Sequence, residues 1–197
     1  ILIGDPDGGK SQVLRILSGL HTNSTSIDLD ELGGFDTENI LGCSLVTVDE
    51  IGKSFGEKHV KRLIGGNAFT IKRKGIRNLS VTPDFKMVAA DNGVFNFGEK
   101  TGALETRFFY LPVDTVPEKD RVDGIGDDAI KEDLQDILDW CLNGAIRVVK
   151  RGGLMKHHEM PDDSKALVEK VSERTNYALN FLQDVEVEFS QTDLIPK

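Results

Sequence analysis

Apolar residues along the chain repeat with two different periods, which predicts that strands and helices alternate. Ile1 to Ile3 are apolar without interruption, as in a buried strand. Lys10 to Leu20 then carries apolar residues at helical spacing, namely Val13, Leu14, Ile16, Leu17 and Leu20. Gly4 to Gly9 form a glycine-rich loop between them. This order of strand, loop and helix predicts half of a βαβ unit.

Further apolar runs predict more strands of the same sheet. They are Leu41 to Val48, Phe85 to Ala90 and Arg107 to Val113. A helix is predicted from Gly56 to Ile64, between the first two runs. Strands with intervening helices indicate a mostly parallel α/β sheet. Ala68 to Arg77 alternates loosely, which favours a hairpin arm that turns near Lys74-Gly75.

The second half of the chain has a different pattern. Residues Pro112 to Asp128 are rich in Pro, Gly and charge, which predicts a linker or exposed loop. Helical periodicity follows over Ile130 to Val149 and Ser164 to Leu182. Trp140 is expected to pack in the core. We therefore predict an α/β core over residues 1–115 and a C-terminal helical part over residues 116–197.

Composition places the chain among ordinary globular proteins. Of its 197 residues, 39% are hydrophobic and 29% are charged, and no apolar run approaches the roughly 20 residues that cross a bilayer. We expect a soluble, cytoplasmic protein without a membrane partner, in a bacterial or virus-infected cell. Cys43 and Cys141 are isolated, which favours reduced thiols. The chain opens at Ile1 without Met, so we expect it to be a fragment of a longer protein.

Charge is distributed unevenly. The formal net charge is −9, which argues against general nucleic-acid coating. Residues 58–77 nevertheless contain seven basic side chains and no acidic one. One local surface is therefore predicted to meet a polyanion, and Lys72, Arg73 and Lys74 on the predicted arm are the candidates for contact with single-stranded DNA. A solvated basic loop is the alternative.

The strongest chemical signal is a phosphate loop. Residues 4–11 match the pattern Gly-x-x-x-x-Gly-Lys-Ser in full. Backbone N–H groups of such a loop surround phosphates, and the following helix adds its positive N-terminal end. We expect the nucleotide to contact Gly4, Asp5, Pro6, Asp7, Gly8, Gly9, Lys10, Ser11 and Gln12. Lys10 is assigned to the phosphates of ATP and Ser11 to Mg²⁺.

Hydrolysis also requires carboxylates near the phosphates. Asp49 and Glu50 follow directly after the apolar run that ends at Val48. An apolar strand would hold them beside the loop, so that Asp49 binds Mg²⁺ through water and Glu50 activates the attacking water. His157-His158-Glu159 lacks an evident third ligand, so we do not expect a metal site there.

The order of these motifs resembles that of superfamily 3 helicases, especially the phage and plasmid primase-helicases. The resemblance is carried by the phosphate loop, Asp49-Glu50, Lys61 to Asn67, Ile71 to Lys74, Lys86 to Asn92, Arg107 and Ile137 to Ala145. It implies a three-layer phosphate-loop NTPase of AAA+-like type, with a central parallel sheet and a C-terminal helical appendage. The chain departs from the family pattern at Asn67, at Phe95 and in having the single Arg107.

The resemblance also implies an activity and its remaining residues. It predicts an ATP-dependent replicative DNA helicase that forms a homo-oligomer, expected to be a hexamer, with a primase domain N-terminal to this segment as a further expectation. Asn92 is implied as the sensor of the γ-phosphate, and Arg107 as a finger that reaches a neighbouring subunit's nucleotide. An ATP-driven switch or loader that remodels proteins, and a nucleotide kinase, are the other two hypotheses.

Overall fold

A computed structural model describes residues 1–29, 35–51, 57–71, 77–93 and 107–175. Its strands are β1 (Leu2–Ile3), β2 (Ser24–Ser26), β3 (Leu45–Val48), β4 (Phe69–Ile71), β5 (Leu79–Val81), β6 (Lys86–Asp91) and β7 (Leu111–Pro112). Its α-helices are α1 (Lys10–Gly19), α2 (Glu57–Ile64), α3 (Ile125–Glu132), α4 (Leu134–Arg151) and α5 (Asp162–Thr175). Short 3₁₀ turns cover Phe35–Ile40, Glu118–Asp120 and His157–Glu159.

Five strands form one parallel sheet in the order β2-β3-β6-β1-β7. Val48 pairs with Ala89, and Leu2 pairs with Ala90 on one side and Leu111 on the other. The predicted parallel sheet is confirmed. Because all five strands run the same way, the ends of β1, β3 and β6 meet at one edge.

Helices cover both faces of this sheet. On one face, Leu14 of α1 packs with Leu2 and Ala90. On the other face, Val60 of α2 and Val171 of α5 share a cluster with buried side chains that include Ile3, Leu29, Val48, Ala89 and Tyr110. Successive residues of a strand point to opposite faces, which explains why Leu2 and Ile3 enter different clusters. The described residues thus form three layers, in which the parallel sheet lies between two layers of helices.

A two-stranded antiparallel ribbon projects from this core. Phe69 pairs with Val81 and Ile71 with Leu79, so the predicted hairpin forms, with its second strand beyond Arg77. Ile71 is fully buried and packs with Val46 and Leu63, which holds the ribbon against the core. Lys72, Arg73, Lys74 and the predicted turn lie outside the described residues.

The sequence predicted a linker or exposed loop over residues 112–128, and residues 114–125 are almost all exposed, as in an exposed loop. The segment is not a linker, because it packs against the phosphate loop. Val113 donates its backbone N–H to the carbonyl oxygen of Ile3 at 2.8 Å, which continues the pairing of β7. The chain then runs along the phosphate loop, where Val116 N–H donates to the carbonyl of Asp7 at 3.1 Å. The Pro, Gly and charged residues therefore form one wall of the site. Sequence composition predicted that this segment is exposed, but it could not show which other segment it contacts.

The helix predicted over residues 130–149 is two helices. Asp133 has φ −119° and ψ 10° and lies between α3 and α4, where its N–H bonds the Ala129 carbonyl and its own carbonyl accepts from Ile137. Aspartate favours such helix ends over helix interiors. A continuous apolar periodicity concealed this break, because both helices keep the same spacing.

The prediction that Trp140 packs in the core is wrong. Trp140 is 72% exposed on α4, and Leu142, Ile146 and Val149 are exposed on the same helix. Cys43, in contrast, is buried and lies with its sulfur 3.3 Å from the Asn39 carbonyl oxygen, as expected for a core thiol. No helix among the described residues is both long and apolar enough to cross a membrane.

Candidate nucleotide site

The phosphate loop joins β1 to α1 through a left-handed turn. Gly9 adopts φ 77° at the start of α1, and Asp7 adopts φ 65° within the loop. A Cβ added to Gly9 would meet no atom within 4 Å. Within the described residues no side chain caps the first turn of α1. Its N–H groups therefore remain suited to an anion, as a phosphate-binding loop requires.

Two glycines of the loop are required by a close approach of the chain after β7. A Cβ on Gly4 would lie 1.8 Å from the carbonyl oxygen of Val113, and one on Gly8 would lie 2.9 Å from that of Asp114. Both distances are too short for any side chain. The loop and the residues that follow β7 are thus packed backbone against backbone.

Lys10 is the buried cation of the loop. It is 6% exposed, and its ammonium donates to the carbonyl oxygens of Gly4 at 2.9 Å and Asp5 at 2.6 Å. A buried ammonium needs such acceptors, because its desolvation is otherwise costly. These contacts hold the ammonium inside the loop, where phosphate oxygens could replace the carbonyls.

Asp49 and Glu50 lie at the edge of the sheet where the phosphate loop begins. They follow β3, and both are exposed. β6 separates β3 from β1 in the sheet, so the strand that precedes Asp49 lies two strand spacings, about 10 Å, from the strand that precedes the loop.

Asp91 is a residue of this edge that was not among the candidates from the sequence. Its carboxylate accepts the N–H of Ile51 at 3.3 Å and the N–H of Gly93 at 3.0 Å, while its backbone carbonyl faces the N–H of Gly4 at 3.4 Å. It therefore joins the phosphate loop to the chain that follows Glu50. In the sequence, Asp91 could have been recognised as an acidic residue at the end of an apolar strand, directly before Asn92.

Burial raises the pKa of the Asp91 carboxyl above its usual value. The two backbone N–H groups oppose this by stabilising the carboxylate, and the negative charge of Glu50 raises the pKa further, while Lys10 lowers it. The charges of both candidate catalytic residues, Lys10 and Glu50, therefore act on this carboxyl group.

A cavity of about 330 Å³ opens above the loop. It is lined by Asp7, Gly8, Gly9, Lys10, Ser11, Gln12, Asn92, Val116, Asp120, Arg121, Val122 and Ile125. Asn92 therefore faces the same space as Lys10 and Ser11, as its predicted role requires. The last five lining residues belong to the region predicted to be a linker or exposed loop, and they were not candidates from the sequence.

Gln12 also lines the cavity, whereas Arg107 does not. Gln12 uses its side-chain oxygen to accept the N–H of Gly126 at 3.0 Å, which ties α1 to α3. Arg107 is exposed and lies near Gly65, away from the lining of the cavity, since a Cβ added to Gly65 would lie 3.4 Å from its guanidinium. Lys72, Arg73 and Lys74 lie outside the described residues.

The residues present fit a nucleoside triphosphate with Mg²⁺. The open left-handed turn at Gly9, the buried Lys10 and the uncapped start of α1 are the donors that phosphates need. Among the described residues, no three His, Cys, Asp or Glu side chains gather into a metal-binding group. Mg²⁺ does not require one, because it is commonly held by one or two protein oxygens together with phosphates and water. Ser11 lines the cavity and could supply one such oxygen, whereas Asp49 and Glu50 are not among the residues that line it.

Comparison with known sequences gives one family. The sequence model of a family of unknown function (DUF5906) matches residues 2–107, which include the phosphate loop, Asp49-Glu50 and Asn92. No curated protein matches the chain.

Comparison with solved structures gives related folds. The A form apo structure of the NrS-1 C-terminal region has a TM-score of 0.54 at 14% identity, over 86% of this chain and 41% of that chain. A JCV helicase, solved with a bound thiazolopyridinyl-phenoxyphenyl acetamide, has a TM-score of 0.51 at 13% identity, over 95% of this chain and 51% of that chain. A second NrS-1 structure, of residues 305–718, has a TM-score of 0.47 at 12% identity, over 66% of this chain and 31% of that chain. This chain thus spans about half or less of each, and the likeness is one of fold.

Proposed function

The chain belongs to the DUF5906 family, whose function is unknown, and we propose that it is the ATP-hydrolysing core of a replicative DNA helicase. The observation that carries this proposal is that residues 7–12 of the glycine-rich loop and α1 line one cavity together with Asn92. The strand that precedes Asp49-Glu50 is parallel to the strands that precede the loop and Asn92, which supports the proposal. The similar fold of a JCV helicase supports it. The more specific assignment is to the superfamily 3, phage and plasmid type, with an AAA+-like ATPase fold.

Each residue of the site has a task in this proposal. Lys10 and the loop N–H groups would hold the phosphates of ATP, and Ser11 and Asp49 would hold Mg²⁺. Bound Mg²⁺ neutralises charge that develops on the β- and γ-phosphates. Glu50 would accept a proton from the attacking water, and Asn92 would sense the γ-phosphate.

Arg107 would complete the site of a neighbouring subunit. It is exposed and does not line its own cavity, as a residue that acts between subunits must be. An oligomeric ring, proposed to be a hexamer, would therefore be the active form. The basic arm of Lys72, Arg73 and Lys74 would contact the phosphates of single-stranded DNA, without reading bases. A primase domain joined to this segment belongs to the same proposal.

Steady-state ATP hydrolysis with and without single-stranded DNA tests the proposal. We expect DNA to stimulate the rate, and Lys10→Ala to lower it about a hundredfold or more, because the variant loses the loop's buried cation. The matched control is Lys150→Ala, an exposed lysine of α4 that does not line the cavity. If the wild-type rate is absent, or equal to that of Lys10→Ala, the proposal is wrong.

A second candidate is an ATP-driven switch that remodels protein partners without moving along DNA. The exposed apolar side chains of Trp140, Leu142, Ile146 and Val149 on α4 favour it, since they suit a protein contact. Replacing Lys72, Arg73 and Lys74 together by Ala separates the two. A helicase should lose its stimulation by DNA, whereas a remodelling ATPase should keep its stimulated rate.

A further inference from the structure

Arg121 is a cation of the nucleotide cavity for which the phosphate-loop motif has no role. Its guanidinium lies 3.0 Å from a carboxylate oxygen of Asp7, and its Nε donates to the carbonyl oxygen of Val116 at 3.0 Å. Val116 in turn donates its N–H to the carbonyl of Asp7 at 3.1 Å. Arg121 is thus tied to the phosphate loop by two residues that contact each other.

The segment that carries Arg121 is held at both ends. On one side Val113 pairs with Ile3 of β1. On the other side α3 packs on α1, where Gly126 donates to Gln12 and Asp127 forms an ion pair with Arg15. Both anchors are parts of the same element, β1-loop-α1, that would bind the nucleotide. Arg121 is therefore positioned relative to the phosphate loop of its own chain.

The ion pair of Arg121 with Asp7 is weak enough for Arg121 to exchange Asp7 for a phosphate group. The two side chains are 39% and 58% exposed, and an ion pair in such a setting contributes little to stability. A guanidinium binds phosphate with two parallel hydrogen bonds, which is a stronger arrangement than its single contact to Asp7. Breaking the ion pair therefore costs less free energy than new hydrogen bonds to phosphate would contribute.

The charges around the cavity also favour an Arg121 side chain that leaves Asp7 to contact phosphate. Its ionisable lining residues are Lys10 and Arg121 against Asp7 and Asp120. Lys10 is buried and held by two loop carbonyls, so Arg121 is the cation with the more exposed side chain. The carboxylate of Asp7 within the loop would repel a triphosphate unless a cation neutralises it.

We propose that Arg121 is a second phosphate-binding residue of the nucleotide site, that it acts within its own subunit, and that Asp7 holds it until nucleotide binds. This inference rests on the proposed nucleotide-binding function. When ATP is bound, the Arg121 guanidinium leaves Asp7 and donates to phosphate oxygens. The segment of residues 116–122 then moves with nucleotide occupancy, which connects the site to α3.

Calorimetric titration of the whole chain with ATP·Mg²⁺ tests the proposal. Arg121→Gln should weaken binding about tenfold or more, as expected for the loss of a hydrogen bond to a charged group. Arg121→Lys should lose less, because it keeps the charge without the paired donors. Arg147→Gln, on the exposed surface of α4 and not lining the cavity, is the matched control and should bind as wild type does.

The Asp7→Asn background separates phosphate binding from mere neutralisation of Asp7. If Arg121 binds phosphate, Arg121→Gln should weaken ATP binding about tenfold in this background as well. If Arg121→Gln has no effect once Asp7 is neutral, Arg121 serves Asp7 alone and the proposal is overturned.

The proposed function can fail separately. Loss of binding in Lys10→Ala together with unchanged binding in both Arg121 variants would overturn the role of Arg121 and leave the nucleotide site standing. Wild-type protein that binds no ATP would overturn both. Circular dichroism of each variant confirms the fold, and Arg121→Lys preserves the test if Arg121→Gln does not fold.

Discussion

At the end of β6, one carboxylate accepts hydrogen bonds from backbone amides of two different turns. Asp91 receives Ile51 N–H and Gly93 N–H, and so links the chain after Glu50 to the turn that holds Asn92. Burial makes its ionised form costly, while the amides favour it. A neutral amide at this position would remove the charge but could not accept both N–H groups as a carboxylate does.

Asp91→Asn should change how stability depends on pH. Because its pKa is raised on folding, the folded state keeps a proton that the unfolded chain releases, so wild-type stability falls as pH rises from about 4 through the folded pKa. The asparagine variant lacks this fall. Urea unfolding at several pH values should therefore show the free energy of unfolding of wild type declining relative to Asp91→Asn with rising pH. A difference that is constant, or that changes in the opposite direction, would contradict the assignment.

At the scale of elements, α4 has no buried residue, whereas α1 buries Leu14 and α5 buries Val171. Its less exposed face runs through Leu134, Ile137, Cys141 and Val148, whereas Trp140 and Val149 are 72% and 78% exposed. Helical periodicity shows that a helix has an apolar side. It does not show how much of that side another element covers.

Trp140 provides a direct test of this exposure, because it is the single tryptophan of the chain. Iodide should quench the fluorescence of dilute native protein nearly as well as that of the unfolded chain. Trp140→Ala should change the free energy of unfolding by no more than about 0.5 kcal/mol, as for other surface substitutions. Strong protection from iodide in the dilute protein would mean that α4 is covered, and that its exposure is misassigned.

At the scale of the whole molecule, the two parts of the chain are joined at the nucleotide site. Val168 and Val171 of α5 pack with Ile3 and Val48, and the chain after β7 runs beside the phosphate loop. These contacts cross the predicted boundary at residue 115, which stays a prediction. Nucleotide binding should consequently affect the C-terminal helices as well as the sheet.

The assembly proposed for Arg107 makes a prediction about mixtures. Lys10→Ala and Arg107→Ala should each be nearly inactive alone. Mixed in equal amounts, they should recover about one quarter of the wild-type rate, since half of the subunits keep an intact phosphate loop and half of their neighbours keep Arg107. ATP hydrolysis measured across protein concentration checks this. If the mixture stays inactive while each variant assembles as wild type does, Arg107 does not act between subunits.

The local features of this protein could be predicted from the amino-acid sequence alone. The pattern of residues 1–20 predicted the order of strand, glycine-rich loop and helix that β1 and α1 show, and the apolar runs located β3 and β6, although Leu41 to Cys43 lie outside the strand. Such features are local because they depend on the backbone preferences of neighbouring residues and on the spacing of apolar residues along the chain. The placement of Asp49 and Glu50 directly after an apolar strand followed from the same pattern.

Which distant residues become neighbours depended instead on how the elements pack. The order of the sheet places β6 between β1 and β3, and this brings Asp91 within hydrogen-bonding distance of both Ile51 and Gly4. The return of the chain after β7 brings Arg121 to Asp7, although the two are far apart in the sequence and composition indicated a loop. Contacts of this kind depend on how strands are ordered and how helices pack. Periodicity along the chain carries no information about either, and it could not show that Trp140 faces outward.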